Sequence, residues 1–230
     1  MRLRWLTIFL DFPPGDFERG VAFWQQVTGS GLSERRGPDG EFATLLPPDG
    51  DPYLRVQRVQ DGPGGCHLDL HVDQPLDDAA AEAVALGGTV RYREAGEVII
   101  VESPGGFAFC FVSWNGEKRV PGPVAASRVS QFCLDIPPDG FDRERGFWAK
   151  LLGEPSGMPA GLIFQRRDQP APGDRVTGHV DIGCGDQPGT VARHEAAGAR
   201  VREKHSTWTV MADPVKRPYC LCRAGVCACA

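Results

Sequence analysis

The stretch LDFPPGDFERGVAFW, residues 10–24, returns as LDIPPDGFDRERGFW at residues 134–148. The two copies align without a gap, so Asp11 corresponds to Asp135 and Trp24 to Trp148, each at an offset of 124 residues (135 − 11 and 148 − 24). Ungapped similarity over such a length indicates an internal repeat.

Three further pairs of segments follow in the same order in both halves. They are CHLDLHV (66–72) and GHVDIGC (178–184), LGGTVR (86–91) and AGARVR (197–202), and ESPGGFAFCFV (102–112) and ADPVKRPYCLC (212–222). The offset from His67 to His179 is 112, so the second copy is 12 residues shorter before this point (124 − 112). The order of the segments predicts a tandem duplication, with domains at 1–115 and 127–230 and a linker at 116–126 rich in Pro, Gly and small residues.

The composition is that of an ordinary globular protein of 230 residues with a net charge of −5. An acidic chain without a dense basic patch argues against nucleic-acid binding, and no apolar run reaches the roughly 18 residues that a membrane span needs. The N-terminal RWLTIFLDF has an internal counterpart in RVSQFCLDI, which predicts a strand rather than a targeting signal. These features predict a cytoplasmic protein whose eight cysteines are mostly free thiols.

Each half shows strand and helix periodicities in a regular order. The first half predicts a strand at 5–12, a helix at 16–28 and strands at 41–46 and 53–59, then a strand at 66–72, a helix at 76–86 and strands at 89–93, 97–102 and 107–112. We interpret this order as a βαβββ unit used twice in each half. The pattern therefore predicts an α+β fold of curved mixed sheets with helices on the outer face.

Several motifs recur in both halves beside this order. Each half has a helix that ends in FWxxxxG, a middle strand that opens on histidine, and a closing segment, PGGFAFC or DPVKRPYC. Together these motifs resemble the vicinal oxygen chelate superfamily, which includes glyoxalase, extradiol dioxygenases and bleomycin-resistance proteins. HLDL, ARHEAAGARV and WTVMADP are similar, more narrowly, to tandem glyoxalase-like proteins of high-GC bacteria. The resemblance implies two tandem glyoxalase-like domains.

Metal-using members of this superfamily hold a divalent ion in the hollow of the curved sheet, with ligands from the first, middle and closing strands. By resemblance the ligand positions fall on Thr7, His67 and Cys110, which define the first cup, and on Gln131, His179 and Cys220, which define the second cup. The family pattern is His/His/Glu or Gln/His/Glu, and a hard or borderline ion is poorly served by Thr or Cys in these places. The resemblance thus implies cups without a catalytic metal, with a divalent ion such as Zn²⁺ as the alternative.

The middle strand carries a further pattern in GGCHLDLHVDQP, residues 64–75. Alternation along a strand places His67 and Asp69 on one face, and His179 and Asp181 repeat them in the second half. Two interpretations remain open: each pair is a buried hydrogen-bond network, or each His is a general acid or base that the Asp tunes. Since two positions along a strand span about 7 Å, we do not expect one ion to bind both members of a pair.

The repeat also separates His71 from these pairs, because Gly183 stands at its counterpart. We interpret His71 as a solvated residue at the rim of the first cup. Trp208 lies on a late strand of the second half, where its ring is either core or the floor of a pocket. The side chains predicted to touch a ligand are Thr7, Cys110, Gln131, Trp208 and Cys220.

The C-terminal CLCRAGVCACA, residues 220–230, packs four cysteines too closely for the usual zinc spacings, so we expect an oxidation-prone end rather than a metal site. The function that the sequence favours is binding of a small molecule in the cups, without a catalytic metal. The alternative is an enzyme, related to lyases, isomerases or dioxygenases, that acts on a small oxygenated substrate with His67 or His179 as the acid or base. Either protein is expected to be a monomeric pseudo-dimer or a homodimer.

Overall fold

The computed structural model describes residues 2–153, 157–169 and 174–223. The first half contains eight strands and two helices. They are β1 (Leu3–Phe12), α1 (Phe17–Thr28), β2 (Gly31–Leu32), β3 (Phe42–Leu46), β4 (Leu54–Arg58), β5 (Gly65–Val72), α2 (Leu76–Ala85), β6 (Thr89–Glu94), β7 (Val98–Glu102) and β8 (Ala108–Ser113). The strands form one sheet in the order β2-β3-β4-β1-β5-β8-β7-β6. The sheet is mixed, because β1 runs parallel to β4 and antiparallel to β5.

The second half repeats this plan with a smaller sheet. Its elements are β9 (Ser127–Ile136), α3 (Phe141–Leu152), β10 (Gly161–Arg166), β11 (Thr177–Cys184), α4 (Gln187–Ala196), β12 (Arg200–Lys204), β13 (Trp208–Ala212) and β14 (Pro218–Arg223). The sheet order is β10-β9-β11-β14-β13-β12. The predicted α+β fold of two similar halves with mixed sheets is thereby confirmed.

One unit differs from the predicted βαβββ order. Within the described ranges only β10 follows α3, whereas β2, β3 and β4 follow α1. The second copy is 12 residues shorter in this region, which accounts for the difference between an eight-stranded and a six-stranded sheet.

The strand β5 explains why each sheet has one apolar face. Leu68 and Leu70 are fully buried and belong to the hydrophobic core, together with the inward residues of the helices. His67 and Asp69 alternate with these leucines and therefore lie on the opposite face. The helices thus pack on the apolar face of the sheet, and the polar face carries the cup. No helix in the described ranges is long and apolar enough to cross a membrane.

The two halves share a single core rather than a thin contact. Core residues of both sheets form one cluster, and β5 contacts β11 at the junction. Polar bonds cross the same junction: Trp24 donates its indole N–H to Oδ2 of Asp213 at 3.1 Å, and the Tyr53 hydroxyl donates to the Val129 carbonyl at 2.7 Å. The repeat therefore folds as two sheets that share one core.

Candidate functional site

Strand register brings the predicted residues of the first cup together. Thr7 on β1 lies opposite Asp69 on β5, and Asp69 lies beside Cys110 on β8. Thr7, Asp69 and Cys110 are all buried. Three neighbouring strands therefore present side chains to one small region of the polar face, as the sequence predicted.

His67 is held by an aspartate that the sequence analysis did not assign to the site. Its Nδ1 lies 2.8 Å from Oδ2 of Asp11, and its ring stacks on Phe9 with centroids 4.3 Å apart. Nε2 faces the cup, 4.0 Å from Oδ1 of Asp69. The bond at Nδ1 fixes the orientation of the imidazole and leaves Nε2 as the nitrogen that a ligand would meet.

The charges around His67 perturb several pKa values. Burial alone would lower the pKa of His67, but the carboxylates of Asp11 and Asp69 outweigh it, so the pKa is raised. Burial also raises the pKa of Asp69, although His67 and Arg55 oppose it. Burial and the neighbouring Asp69 raise the pKa of the Cys110 thiol. The carboxylates therefore make the His67 imidazole more basic, and the Cys110 thiol keeps its proton.

Arg55 on β4 adds a second cation to this cluster. Its guanidinium lies 3.6 Å from Oδ2 of Asp69 and 5.7 Å from the centre of the Phe9 ring. Two carboxylates, Asp11 and Asp69, are thus balanced by Arg55 and His67 within the first cup. This arrangement neutralises the charge that would otherwise attract a divalent cation.

His71 is not the rim residue that the sequence analysis expected. It is only 1% exposed, and its Nε2 lies 2.9 Å from the hydroxyl of Thr7. Oε1 of Glu117 approaches Nδ1 at 3.6 Å. Burial lowers the pKa of His71 to about 4, against the effect of Glu117, so the ring is neutral near pH 7. The interpretation was wrong because a side chain that lacks a repeat counterpart can still fill the core of its own half.

Glu117 comes from the segment predicted to be a linker. That segment is attached to the first half, since the backbone N–H groups of Lys118 and Arg119 both donate to Oδ2 of Asp51 at 2.8 Å. Trp114 donates its indole N–H to the Glu117 carbonyl at 2.9 Å. The chain after β8 is therefore folded back toward the first cup and positions a carboxylate beside His71.

The second cup repeats the aspartate–histidine pair. Nδ1 of His179 lies 2.7 Å from Oδ2 of Asp135, and Nε2 lies 3.2 Å from Oδ1 of Asp181. Sγ of Cys220 is 3.6 Å from the same Nε2. Gln131 is opposite Asp181 in the register of β9 and β11. The four predicted second-cup residues on these strands therefore do converge.

The two cups differ in the residues around this shared pair. At the positions of Phe9 and Arg55, the second cup has Cys133 and Ile163, which the register of β9 and β10 pairs. Trp208 is half-buried and packs on the cluster of Cys133, Cys220 and Cys222, while His205 stacks on its ring at 4.2 Å. The second cup is thus the less charged and more sulfur-rich of the two.

The superfamily implies a divalent ion, and the first cup does not fit one. Thr7, at the first-strand position, is bonded to His71, and the Cys110 thiol has a raised pKa where the family pattern has a carboxylate. His67, Asp69 and Cys110 do place one ligand atom each within 4.8 Å of one another. The expectation that His and Asp on one strand lie too far apart was therefore wrong, because their side chains converge. Arg55 and the Asp11-bonded His67 nevertheless oppose a cation there.

The second cup has no arginine at the Arg55 position. His179, Asp181 and Cys220 are the residues that could hold a Zn²⁺ ion there, since their ligand atoms also lie within 4.8 Å of one another. Three protein ligands of this type are the number that a catalytic zinc uses. Nε2 of His179 lies 3.2 Å from Oδ1 of Asp181 and 3.6 Å from Sγ of Cys220, and these distances also fit hydrogen bonds between the three side chains.

Cys66, Cys110 and Cys184 are free thiols. Cys222 is disulfide-bonded, so the expectation of free thiols does not hold at that position. The rest of the cysteine-rich tail, residues 224–230, lies outside the described residues.

The repeated Asp–His pair, the paired sheets and the βαβββ order agree with a comparison against protein families. The profile of a glyoxalase-like domain matches residues 7–112 and 131–222. The chain belongs to the glyoxalase-like domain family. No protein of curated function matches it by sequence.

Solved structures related to this glyoxalase-like protein include several dioxygenases. The 2,2',3-trihydroxybiphenyl 1,2-dioxygenase of Sphingomonas wittichii is 15% identical, with a TM-score of 0.61, and the match covers 99% of this chain and 93% of that one. Homoprotocatechuate 2,3-dioxygenase of Arthrobacter globiformis is 15% identical, with a TM-score of 0.62 and coverage of 100% and 83%. A mutant of 4-hydroxymandelate synthase of Streptomyces coelicolor is 9% identical, with a TM-score of 0.65 and coverage of 99% and 93%. At such identities these likenesses describe the fold alone.

Four residues of the cups in this glyoxalase-like protein were not predicted from the sequence, namely Asp11, Asp135, Arg55 and Glu117. Asp11 and Asp135 were used to align the repeat, yet each has the strand parity of Thr7 or Gln131, and that parity could have placed them in the cups. The counterpart of Arg55 is Ile163, so the repeat gave no such signal for the arginine.

Proposed function

We propose that this glyoxalase-like protein binds a small oxygenated molecule in the first cup without using a metal ion. The observation that carries this proposal is the charge arrangement on the polar face. Arg55 lies 3.6 Å from Asp69, and His67 lies 2.8 Å from Asp11. In the place where the superfamily holds a cation, this protein has its own cationic hydrogen-bond donors, Arg55 and His67.

Two donors and two rings would form the contacts with a ligand. Nε2 of His67 faces the cup, and the half-buried guanidinium of Arg55 has further N–H groups that can donate to a ligand oxygen. Phe9 stacks on His67 and meets Phe42 edge to face, with centroids 6.3 Å apart, which adds an apolar wall. A few directed polar groups beside aromatic surface are typical of small-molecule sites.

The structural relatives suggest which probes to use first. Their names record reactions of hydroxylated aromatic compounds, such as homoprotocatechuate and trihydroxybiphenyl. We expect homoprotocatechuate or catechol to bind protein that has been treated with EDTA, as measured by ligand-observed NMR and calorimetry. Loss of a charge-assisted hydrogen bond should weaken this binding by about tenfold or more in His67→Gln and in Arg55→Ile.

The control for these variants is His205→Ala, which removes an exposed imidazole outside the first cup. Its binding constant should equal that of the wild type. Binding that appears only after a divalent metal is added, or that is equal in all three variants, would refute metal-independent binding in the first cup.

A second candidate function is acid–base catalysis by His67 on such a molecule. The bond from Nδ1 to Asp11 favours it, since an oriented neutral imidazole with a raised pKa can take a proton at Nε2 and then return it. The reaction class is the removal of a proton next to a carbonyl group and its return to the same molecule. A keto acid such as pyruvate, incubated in D₂O, should then exchange its α-protons faster with wild type than with His67→Gln, as followed by NMR. Equal exchange rates would leave binding as the function of the cup.

A further inference from the structure

A cleft of about 330 Å³ lies at the junction of the two halves, and of the cup residues only Asp135 lines it. Its floor includes the buried side chains of Leu10, Trp24 and Val180. Lys216 and Arg217, from the turn between β13 and β14, line it as well. We call this space the interhalf cleft. An apolar floor with a few charged groups, at the boundary between two structural units, is a common setting for a ligand site.

The repeat shows why the cleft is open on one side only. In the first half the counterpart of Arg217 is Phe107, which is buried against Trp148 with ring centroids 6.1 Å apart. The counterpart of Gly64 is Val176, also buried, whose Cγ2 would lie only 2.4 Å from a Cβ placed on Gly105. The space related by the repeat is therefore filled with apolar side chains. A glycine and an arginine at these two positions leave it open beside Trp24.

Lys216 occupies a backbone conformation that lysine rarely adopts. Its φ is 71°, in the left-handed region, and its counterpart Gly106 has a φ of 83°. The turn thus keeps its shape in both halves, but the second half has a long cationic side chain where glycine would be free of strain. A strained residue at the edge of a cavity is a feature of ligand sites, where the side chain serves a purpose that the backbone alone does not.

Arg217, which also lines the cleft, has an unused hydrogen-bond donor. Its guanidinium stacks on Phe12 at 4.2 Å, and one terminal nitrogen donates to the Gly65 carbonyl. The other terminal nitrogen is buried and has no hydrogen-bond partner among the described residues. Such a donor is stabilised by an acceptor, above all a charged one.

We propose that the interhalf cleft is a binding site for a small organic anion with an apolar body. The apolar part would lie on Leu10, Trp24 and Val180, and a carboxylate or sulfonate would meet Lys216 and Arg217. Asp135 also lines the cleft, but its carboxylate accepts from His179 at 2.7 Å, so it opposes the anion less than an unpaired acid would. This site is separate from the first cup and does not depend on the function proposed there.

The test uses 1-naphthalenesulfonate as the anionic probe and 1-naphthalenemethanol as its neutral partner. Calorimetry on the full chain should give tighter binding for the sulfonate, and the indole N–H signal of Trp24 should shift in NMR spectra. Lys216→Gly and Arg217→Phe introduce the residues that the first half has at the same turn. Each should weaken sulfonate binding by about tenfold, the effect of losing one charged hydrogen-bond partner.

Two controls distinguish a specific loss of sulfonate binding from a general loss of folding. Lys216→Gly removes a left-handed lysine, so its melting temperature should be equal to or higher than that of the wild type although its binding falls. Lys204→Gln removes an exposed cation on the edge strand β12 and should bind the sulfonate as the wild type does. No sulfonate binding by the wild type at millimolar concentration, equal binding of the two probes, or unchanged binding in both cleft variants would overturn the proposal.

Discussion

His67 lies 2.8 Å from Asp11 on the neighbouring strand, with Nδ1 facing Oδ2, and His179 lies 2.7 Å from Asp135 in the same way. The partners are 56 residues apart in the first half and 44 in the second. The 12-residue difference between the copies thus falls between the partners without separating them. The pair belongs to the sheet framework, and what differs between the cups is the surrounding residues.

The first prediction concerns the proton on His67. Asp11 is the main group that outweighs burial and raises the pKa of His67. Asp11→Asn keeps the shape of the side chain but removes its charge, so the pKa of His67 should fall in this variant. An NMR titration of the imidazole signals would measure both values. If the pKa is unchanged or higher in Asp11→Asn, the Asp11–His67 bond does not control the charge in the first cup.

The second prediction is a loss of stability in mild acid. His71 and His194 are buried, and burial lowers the pKa of each to about 4, below the value of about 6.5 expected for the unfolded chain. A depressed histidine pKa means that the unfolded state binds more protons, so their stabilising contribution is complete above about pH 6.5 and is lost as the pH falls toward 4. Urea unfolding at pH 7.5 and pH 5 should show the decrease. The decrease should be smaller in His194→Gln, and an equal decrease in that variant would argue against His194 as a source.

The third prediction follows from the burial of His71. His71→Ala would remove a buried ring and leave the Thr7 hydroxyl without its partner at 2.9 Å. Loss of such a buried hydrogen bond costs on the order of 1–3 kcal/mol in the free energy of unfolding. Chemical denaturation would measure the change. His205→Ala, at an exposed position, is the matched control and should change stability by less than about 0.5 kcal/mol.

The fold could be predicted because its evidence is local and repeated. The alternation in residues 66–72 and the helix that ends at Gly29, which has a φ of 63°, both follow from short-range rules. The internal repeat then predicted the same order of elements in the second half. The number of strands after α3 could not be predicted, since the loss of 12 residues can shorten loops or remove strands, and tertiary packing decides between the two.

The site could be predicted only in part. Strand parity correctly placed His67, Asp69 and Cys110 on one face. The backbone spacing along the strand overestimated the distance between the side-chain atoms of His67 and Asp69, which converge. Arg55 and Glu117 enter the first cup from β4 and from the segment after β8, and only the assembled sheet brings them near. The interhalf cleft depends on how the two halves pack together, and a sequence pattern within one half contains no information about that packing.

The fourth prediction concerns metal binding. We expect the first cup of the purified protein to carry less than one equivalent of Zn, Fe, Mn or Ni after mild dialysis, because Arg55 and His67 occupy its charge-balancing positions. Arg55→Ile introduces the residue found at this position in the second cup and should increase the affinity of the first cup for Zn²⁺. Elemental analysis and a Zn²⁺ titration of both proteins would measure this. One tightly held equivalent in the wild type that disappears in His67→Gln would contradict the prediction.

The fifth prediction tests how firmly the two halves are joined. The indole N–H of Trp24 donates to Asp213 at 3.1 Å across the junction, and both residues are buried. Trp24→Phe keeps an aromatic ring but leaves that carboxylate oxygen without its donor, which should lower the free energy of unfolding by about 1–3 kcal/mol. Because one core spans both halves, the loss should appear as a shift of a single cooperative transition. Asp213→Asn should cost at least as much, because Oδ1 of Asp213 accepts from the backbone N–H groups of Val215 and Arg217 while Oδ2 accepts from Trp24, and asparagine has only one acceptor oxygen. The comparison is made by denaturant unfolding followed with circular dichroism. A wild-type transition that separates into two steps would show that the halves unfold independently, and the bond between Trp24 and Asp213 would then be a contact between two domains rather than part of one core.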